Sequence, residues 1–137
     1  MKAYRLMERI HFLEKNPEWR DLGHSHDMLR SIINHLQRIL NTFQGSAQIA
    51  DDLGIPDITH FLRTIPDSVQ SLENSIKQTI QNYEPRLKHV KVRYNQLITS
   101  DLCLSFQITG QIDHNFKRYD VNLESLIGTD GKIRIQE

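Results

Sequence analysis

The pattern of apolar residues changes within one stretch of the chain, Tyr83-Glu84-Pro85-Arg86-Leu87-Lys88-His89-Val90-Lys91-Val92-Arg93-Tyr94. On its N-terminal side, apolar residues recur with the 3.6-residue period of amphipathic helices. From Val90 onward they alternate with polar residues, which is typical of a half-buried strand. Pro85 separates the two patterns because the residue before a proline is disfavoured in a helix. The stretch therefore predicts an elbow at Glu84-Pro85-Arg86, between a helical half and a strand half.

Two strong helices are predicted before the elbow. The first covers residues 28–43, with Gly45 as its C-terminal stop. The second starts at Pro66-Asp67, where Asp67 acts as a capping residue, and ends before the elbow. The connection between them is long, which is often a sign of function. It contains a turn at residues 54–57 and a short helical turn at 57–62.

Four short strands are predicted after the elbow. They are the alternating segments 90–94, 102–108, 119–123 and 132–136, the last one entered through a hairpin turn at Asp130-Gly131. Short connections between successive strands favour antiparallel pairing. The sequence thus predicts an α+β fold, in which the N-terminal helices pack on a mostly antiparallel four-stranded sheet.

The chain is expected to form one domain with an appended arm. Residues 25–137 are the predicted domain, and residues 1–24 are an amphipathic arm in which Leu6, Ile10 and Leu13 recur at near-helical spacing. A helix this short is not stable in isolation, so we expect the arm to dock on the domain or on a partner.

Charge and composition exclude several classes of function. Among the 137 residues, Lys and Arg total 17 and Asp and Glu total 17, so no basic footprint for nucleic acid is present. No apolar run is long enough to span a bilayer, which argues against direct membrane insertion. The N-terminus leads into no apolar segment typical of a secretion signal, and Cys103 is the only cysteine. We therefore expect a cytoplasmic protein.

Three stretches together resemble a known family. They are Ile39-Leu40-Asn41-Thr42, Leu53-Gly54-Ile55-Pro56-Asp57-Ile58 and Tyr83-Glu84-Pro85-Arg86-Leu87. Their order and spacing resemble the lysozyme-like baseplate wedge family of contractile injection machines, and within it the type VI secretion members. The resemblance covers residues 28–135. The family's usual phrase is Asp-Tyr-Gly-Leu-Pro-Asp, in which Leu53 and Ile55 stand here for the tyrosine and the leucine.

The resemblance implies an assembly role without a cofactor. Such proteins are structural subunits whose sheet resembles the core sheet of a sheath subunit. The implied partners are the other wedge subunits, TssF and TssG with TssK as a further candidate, and the contractile sheath subunits. The implied activity is nucleation of sheath polymerisation by strand exchange, on the membrane-docked apparatus.

The elbow and the turn at Pro56 and Asp57 are candidate interface sites. Glu84 and Arg86 flank the stiff Pro85 and carry opposite charges. One interpretation is an ordinary ion pair within the chain, which anchors strand to helix. The other is an interface with wedge subunits, in which Arg86 binds a carboxylate bidentately. The resemblance favours the interface.

Two further candidate surfaces lie on the predicted strands. His89, Lys91 and Arg93 share one face, which is either a solvated face or a basic strip for an acidic partner. The last strand is expected to be a sheet edge with unpaired backbone groups. That edge either accepts a partner's strand or is protected by Lys132 and Arg134.

No catalytic, cofactor or metal site is predicted. His24 and His26 are two residues apart, which does not place them on one helix face, and no third ligand stands at a convincing spacing. The alternative function is a small peptidoglycan hydrolase that pairs Glu84 with Asp51, Asp52 or Asp57. A general acid needs a raised pKa, whereas a cation beside Glu84 would lower it. An adaptor domain of another pathway is a third hypothesis.

Overall fold

The computed structural model describes residues 5–15, 25–56, 68–95, 104–128 and 130–137. Its helices are α1 (Leu6–Lys15), α2 (Ser25–Leu40) and α3 (Val69–Tyr83), and its strands are β1 (Leu87–Asn95), β2 (Leu104–His114), β3 (Lys117–Ile127) and β4 (Ile133–Gln136). The predicted α+β architecture, with helices first and strands afterwards, is confirmed. No helix within these ranges is long and apolar enough to cross a membrane.

The four strands form one antiparallel sheet in the order β1-β2-β3-β4, as predicted. Its centre is a long hairpin of β2 and β3, which pair from Leu104↔Ile127 to His114↔Lys117. The strand β4 is short and pairs only with the end of β3, where Ile127 lies opposite Ile133. The sheet therefore has two edges, β1 and β4.

The core lies between one face of the sheet and the two longer helices. α3 lies over β1, and α2 lies over β4. The helices contribute apolar side chains at helical spacing, and the strands contribute every second side chain. The fully buried side chains include Ile32, Leu36, Leu72, Ile76, Ile80, Phe106, Ile108, Leu123 and Ile127. The opposite face of the sheet is polar, with hydrogen bonds across neighbouring strands such as Gln107 to Asn122. A sheet covered on one side is typical of antiparallel folds.

Two helix boundaries differ from the sequence-based expectation. α2 ends at Leu40, so Phe43 lies beyond the helix and its side chain is 67% exposed. Phe43 instead forms an isolated parallel bridge with Ile55, and Gly45, at φ 83°, turns the chain in the loop that follows. α3 begins at Val69 with Ser68 in the N-cap position. The predicted start at Pro66-Asp67 and the helical turn at 57–62 lie outside the described residues.

A bulge interrupts β1, which the sequence analysis did not predict. The register with β2 shifts between Lys88 and Lys91, and His89 has a φ of 52°. Leu87 and Val90 are both buried although they are three residues apart, which a regular strand does not allow. From Val90 onward, the predicted alternation of buried and exposed side chains holds.

Candidate functional site

The elbow turns the chain from α3 into β1 and directs Glu84 into the protein. The N–H of Glu84 still donates to the carbonyl of Ile80 at 2.8 Å, so Glu84 closes the last turn of the helix. Pro85 follows and cannot continue the helix. The N–H of Leu87 then donates to the carbonyl of Glu84 at 3.2 Å. As a result, the Glu84 side chain is completely buried while Pro85 is exposed.

Glu84 is bound on both carboxylate oxygens. Arg86 Nε donates to Oε1 at 2.7 Å and Arg86 Nη2 donates to Oε2 at 2.8 Å, which is a bidentate pair. His35 Nδ1 lies 2.7 Å from Oε2. The N–H of Arg86 also donates to Oε1, at 3.3 Å. The structure thus places the ion pair of Glu84 and Arg86 within the chain. Whether the elbow also forms an interface stays a prediction.

The environment of Glu84 keeps its carboxylate ionised. Burial raises the pKa of Glu84, but the hydrogen bonds from Arg86 and His35 and the charge of Arg86 outweigh burial. The net effect lowers the pKa of Glu84 from 4.5 to about 2. A buried carboxylate is tolerated only with such partners, since an unpaired charge would cost several kcal/mol, about 3–5 by comparison with broken buried pairs.

The helix α1 is joined to the elbow by a chain of polar contacts. Arg86 Nη1 donates to Ser31 Oγ at 2.9 Å, and Ser31 Oγ donates to Glu8 Oε2. Glu8 Oε2 also accepts from the N–H of Arg5 at 2.9 Å, which caps the start of α1. Arg5 Nη2 donates to the carbonyl of Tyr83 at 3.0 Å. The described part of the arm, residues 5–15, therefore contacts the domain itself, at the end of α3.

Three apolar side chains of α1 are exposed. Leu6 is 67% exposed, Met7 is 73% exposed and Ile10 is 50% exposed. The sequence predicts an arm that docks on the domain or on a partner, with Leu6, Ile10 and Leu13 as its apolar residues. The side chains of Phe12 and Leu13 lie outside what the structure describes. The contacts described above between α1 and the domain are polar.

The three stretches that carry the family resemblance meet around the ends of α2 and α3. The N–H of Ile55 donates to the carbonyl of Thr42 at 3.1 Å, and the N–H of Gln44 donates back to Ile55 at 3.1 Å. From α3, Thr79 Oγ1 donates to the carbonyl of Gly54 at 2.9 Å. Backbone hydrogen bonds therefore hold the second stretch, which begins at Leu53, against the end of α2. A hydrogen bond from the buried Thr79 hydroxyl holds it against α3.

Asp52, which precedes the second stretch, is also held by α3. The hydroxyl of Tyr83 and the amide of Asn82 both donate to its carboxylate. The hydrogen bond from Tyr83 is the main cause of a lowered pKa of Asp52. The same hydrogen bond raises the pKa of Tyr83. Asp52 and Glu84 are thus both stabilised in the ionised form.

Pro56, Lys132 and Arg134 are brought together at a groove. The groove lies between the C-terminal end of α2, the loop at residues 42–56 and β4, and its volume is about 380 Å³. Leu40 and Ile55 line its apolar part. Asp57, the neighbour of Pro56, lies outside the described residues. These three predicted interface residues therefore share one surface, which is separate from the elbow.

The β4 edge differs from the expected open edge. Asn41 Oδ1 accepts from the N–H of Ile133 at 2.9 Å, and Asn41 Nδ2 donates to the carbonyl of Ile133 at 2.8 Å. Gln37 Oε1 accepts from the N–H of Ile135 at 2.8 Å. The expectation of unpaired backbone groups on this strand is therefore wrong at Ile133 and Ile135, because side chains of α2 bind them.

His89, Lys91 and Arg93 are all exposed on β1, and none of them lines the groove at β4. His89 and Lys91 border a shallow depression on the polar face of the sheet, next to Gln111 and Asp120. Within the described ranges, no three His, Cys, Asp or Glu side chains are placed to hold a metal ion. His24, His60 and Cys103 lie outside those ranges.

Four polar residues of α2 take part in these contacts and were not predicted from the sequence. Ser31 and His35 serve the elbow, and Gln37 and Asn41 bind β4. Each pair has the four-residue spacing that places two side chains on one helix face, and this signal was readable in the sequence. The sequence does not show that the Ser31 and His35 side chains face the elbow, or that the Gln37 and Asn41 side chains face β4.

Several solved chains share this fold, among them the following two. One is a chain of the baseplate complex from the type VI secretion system, with a TM-score of 0.60, 23% identity, and coverage of 79% of this chain and 100% of that chain. The other is a candidate tail lysozyme from Geobacter sulfurreducens, with a TM-score of 0.52, 18% identity, and coverage of 76% and 92%. At these identities the likeness concerns the fold. No curated protein matches the chain significantly in sequence.

A family model described as baseplate wedge protein gp25 matches residues 26–116. The match includes all of α2 except Ser25, the loop at residues 51–56, α3, the elbow and the β1–β2 pair. It therefore contains the three stretches that the structure brings together and the whole ion-pair network of Glu84 apart from α1. The chain belongs to the GPW/gp25 family of baseplate wedge proteins.

Proposed function

We propose that this protein is a non-enzymatic, TssE-type subunit of a type VI secretion baseplate wedge. In this role it binds the wedge subunits TssF and TssG, with TssK as a further candidate, and nucleates the contractile sheath. The protein then acts in the cytoplasm, on the membrane-docked apparatus. The family match and the shared fold with a type VI baseplate chain support the proposal.

The buried ion pair of the elbow is the observation that carries this proposal. Glu84 joins Arg86, His35 of α2 and, through Arg5, the helix α1. Such a network fixes the shape of the surface above it, and Pro85 is exposed at its outermost point. The wedge subunits then contact Pro85 and the exposed part of Arg86, while Glu84 acts from inside by holding the elbow rigid.

The same network argues against the hydrolase alternative. A glycosidase needs one protonated carboxyl group as a general acid beside an ionised partner. The pKa of Glu84 is lowered to about 2 by Arg86 and His35, and the pKa of Asp52 is lowered by Tyr83. Neither group is therefore protonated near neutral pH.

We further propose that the sheath strand adds at the β1 edge. The N–H of Tyr94 points away from β2 and donates to Glu73 of α3. Because backbone groups alternate along a strand, the N–H and carbonyl of Val92 also point outward. At β1 an incoming strand displaces the carboxylate of Glu73 from Tyr94, whereas at β4 it displaces the amides of both Gln37 and Asn41. Lys132, Arg134 and Pro56 then provide a second wedge contact at the groove.

Co-expression with the wedge and sheath subunits of the same machine tests these assignments. The variant Pro85→Glu adds a charge at the outermost point of the elbow, so we expect the folded protein to lose TssF and TssG. The matched control Gln78→Glu adds the same charge on the exposed side of α3 and should retain them. Equal recovery by both variants would contradict the elbow interface.

The sheath assignment is tested by Val92→Pro. This change removes an outward N–H that the sheet itself does not use, so strand addition should fail while the wedge complex still forms. Sheath assembly by a folded Val92→Pro protein would exclude the β1 edge. Purified protein should not clear peptidoglycan, and clearing that a folded Glu84→Gln variant loses would support the hydrolase instead.

A further inference from the structure

The tip of the β2–β3 hairpin has an unusual turn. Asn115 and Phe116 form its two central residues, with φ of 50° and 62°. Turns of this type require two residues in the left-handed region and strongly favour Asn followed by Gly. Asn115 fits this rule, whereas Phe116 does not, because a bulky side chain is strained at positive φ. The turn would thus be more stable with a glycine at position 116.

The ring of Phe116 has no packing role in the described fold. Its relative exposure is 111%, which is that of a side chain with no neighbour over it. The hairpin continues to the pair His114↔Lys117, whereas β1 pairs with β2 only as far as Leu87↔Ile112. The tip therefore projects past the adjacent strand, and neither turn geometry nor core packing accounts for a phenylalanine there.

The base of the tip is braced and carries positive charge. Asp113 binds Lys88 Nζ at 2.7 Å and Arg118 Nε at 3.3 Å, so the hairpin is tied to β1 just below the turn. Lys88, Lys117 and Arg118 exceed the single carboxylate of Asp113 by two charges. The ring is thus presented on a stiff support with a basic surround.

The tip lies at the same end of the sheet as the elbow. Lys88, which holds Asp113, follows the elbow residue Arg86 by two positions, and Ile112 lies opposite Leu87 directly after the elbow. A partner that covers the exposed Pro85 is therefore also within reach of the hairpin tip. Charge favours a partner surface that is acidic around its contact with the tip.

We infer that Phe116 is an anchor residue that enters an apolar socket with an acidic rim on the wedge subunit that covers the elbow. This inference rests on the proposed wedge function. Aromatic side chains that are exposed in the free protein and fill a partner's pocket commonly dominate binding energy, because they bury a large apolar area with few rotatable bonds. The strain at Phe116 is then maintained for binding rather than for folding.

The test is Phe116→Gly, measured for stability and for binding to the purified TssF–TssG complex. A glycine relieves the strained turn, so we expect the urea midpoint of unfolding to rise. Loss of the ring should weaken binding at least tenfold. A higher urea midpoint together with a weaker affinity identifies an anchor residue. Replacement of a structural residue would lower both the midpoint and the affinity.

Two further variants sharpen the result. Ile49→Gly removes another fully exposed apolar side chain, outside the elbow and the hairpin tip, and should leave the affinity unchanged. Lys117→Glu should weaken binding, and more strongly at low salt than at high salt, because it opposes the acidic rim.

Three results would overturn the inference. Binding of Phe116→Gly within twofold of wild type would exclude the anchor and leave the wedge function standing. A wild-type dimer that Phe116→Gly dissociates would assign the tip to self-association. Failure of the wild-type protein to bind the TssF–TssG complex would contradict the wedge function and this inference with it.

Discussion

The side-chain amide of Asn41 binds both the N–H and the carbonyl of Ile133, as the backbone of a neighbouring strand would. Its Oδ1 accepts the N–H of Ile133 at 2.9 Å and its Nδ2 donates to the carbonyl of Ile133 at 2.8 Å. One helical turn earlier, Gln37 binds the N–H of Ile135 at 2.8 Å. Exposed edge strands invite pairing with other chains. α2 therefore closes this edge of the sheet with side chains instead of a fifth strand.

We expect Asn41→Ala to lower the free energy of unfolding by about 1–3 kcal/mol. The variant leaves the N–H of Ile133 without its partner in a partly buried place, while the carbonyl of Ile133 still accepts from Gln37 Nε2. Loss of a partner for a partly buried donor costs more than loss of a solvated hydrogen bond. Urea unfolding followed by circular dichroism measures the change.

The matched control for Asn41→Ala is Asn122→Ala. Asn122 accepts from Gln107 at 3.1 Å on the exposed face of the sheet, so its loss should cost less than about 0.5 kcal/mol. Equal costs for the two variants would show that Asn41 contributes no more than an ordinary surface contact.

Gly54→Ala should destabilise the protein strongly. Gly54 has a φ of 98°, and a Cβ added there would lie 2.0 Å from the carbonyl oxygen of Thr42. Neither atom can move freely, because that carbonyl accepts from Ile55 and the carbonyl of Gly54 accepts from Thr79. We expect a loss of at least about 3 kcal/mol in urea unfolding.

Two causes contribute to the loss at Gly54, the backbone strain at positive φ and the clash of the added Cβ. The variant Gly131→Ala measures the first cause alone. Gly131 also has a positive φ, 76°, but a Cβ there would meet nothing within 4 Å. Its replacement should cost only the backbone strain, about 1–2 kcal/mol. A Gly54→Ala variant no less stable than Gly131→Ala would mean that the loop at residues 51–56 moves away from α2 at little cost.

The fold was predictable because its main signals are local. The change of apolar period at Pro85 separates helices from strands, and the short links between strands fix the antiparallel order. The row of apolar residues on α2 from Met28 to Leu40 also identified its buried face. These features depend on residues a few positions apart, which a single sequence displays directly.

The candidate site was only partly predictable because its contacts are distant in sequence. The elbow was identified, but His35 lies 49 residues from Glu84, and Asn41 lies 92 residues from Ile133. No local pattern states which helix row faces which strand. The bulge at His89 had a local signal, since Leu87 and Val90 are both apolar at a spacing that a regular strand cannot bury.

Ser125→Ala should stabilise the protein. Ser125 is fully buried, and its hydroxyl has no hydrogen-bond partner among the residues that the structure describes. Removing an unsatisfied buried hydroxyl with little change in volume should raise the free energy of unfolding by up to about 1 kcal/mol. The contrasting variant is Ser105→Ala, because Ser105 Oγ donates to Glu124 Oε1 at 2.7 Å. That variant should be less stable than wild type, and a gain at Ser105 or a loss at Ser125 would contradict this account.

The stability of the protein should depend on pH through Glu84. Its pKa is about 2 in the folded protein and 4.5 for the free side chain, so folding favours the ionised form. The stabilisation is complete above pH 4.5 and is lost as the pH falls from there toward 2. The expected loss is about 3 kcal/mol, which urea unfolding between pH 7 and pH 2.5 should largely capture. Glu84→Gln should flatten this dependence and reduce stability at pH 7 by about 3–5 kcal/mol, because Arg86 stays buried without its counter-charge.

Asp113→Asn serves as the control for Glu84→Gln. Asp113 also has a lowered pKa, but it binds Lys88 and Arg118 at the surface, so the pH dependence of this variant should stay close to that of wild type. An equally steep pH dependence in Glu84→Gln would show that other carboxylates control acid unfolding.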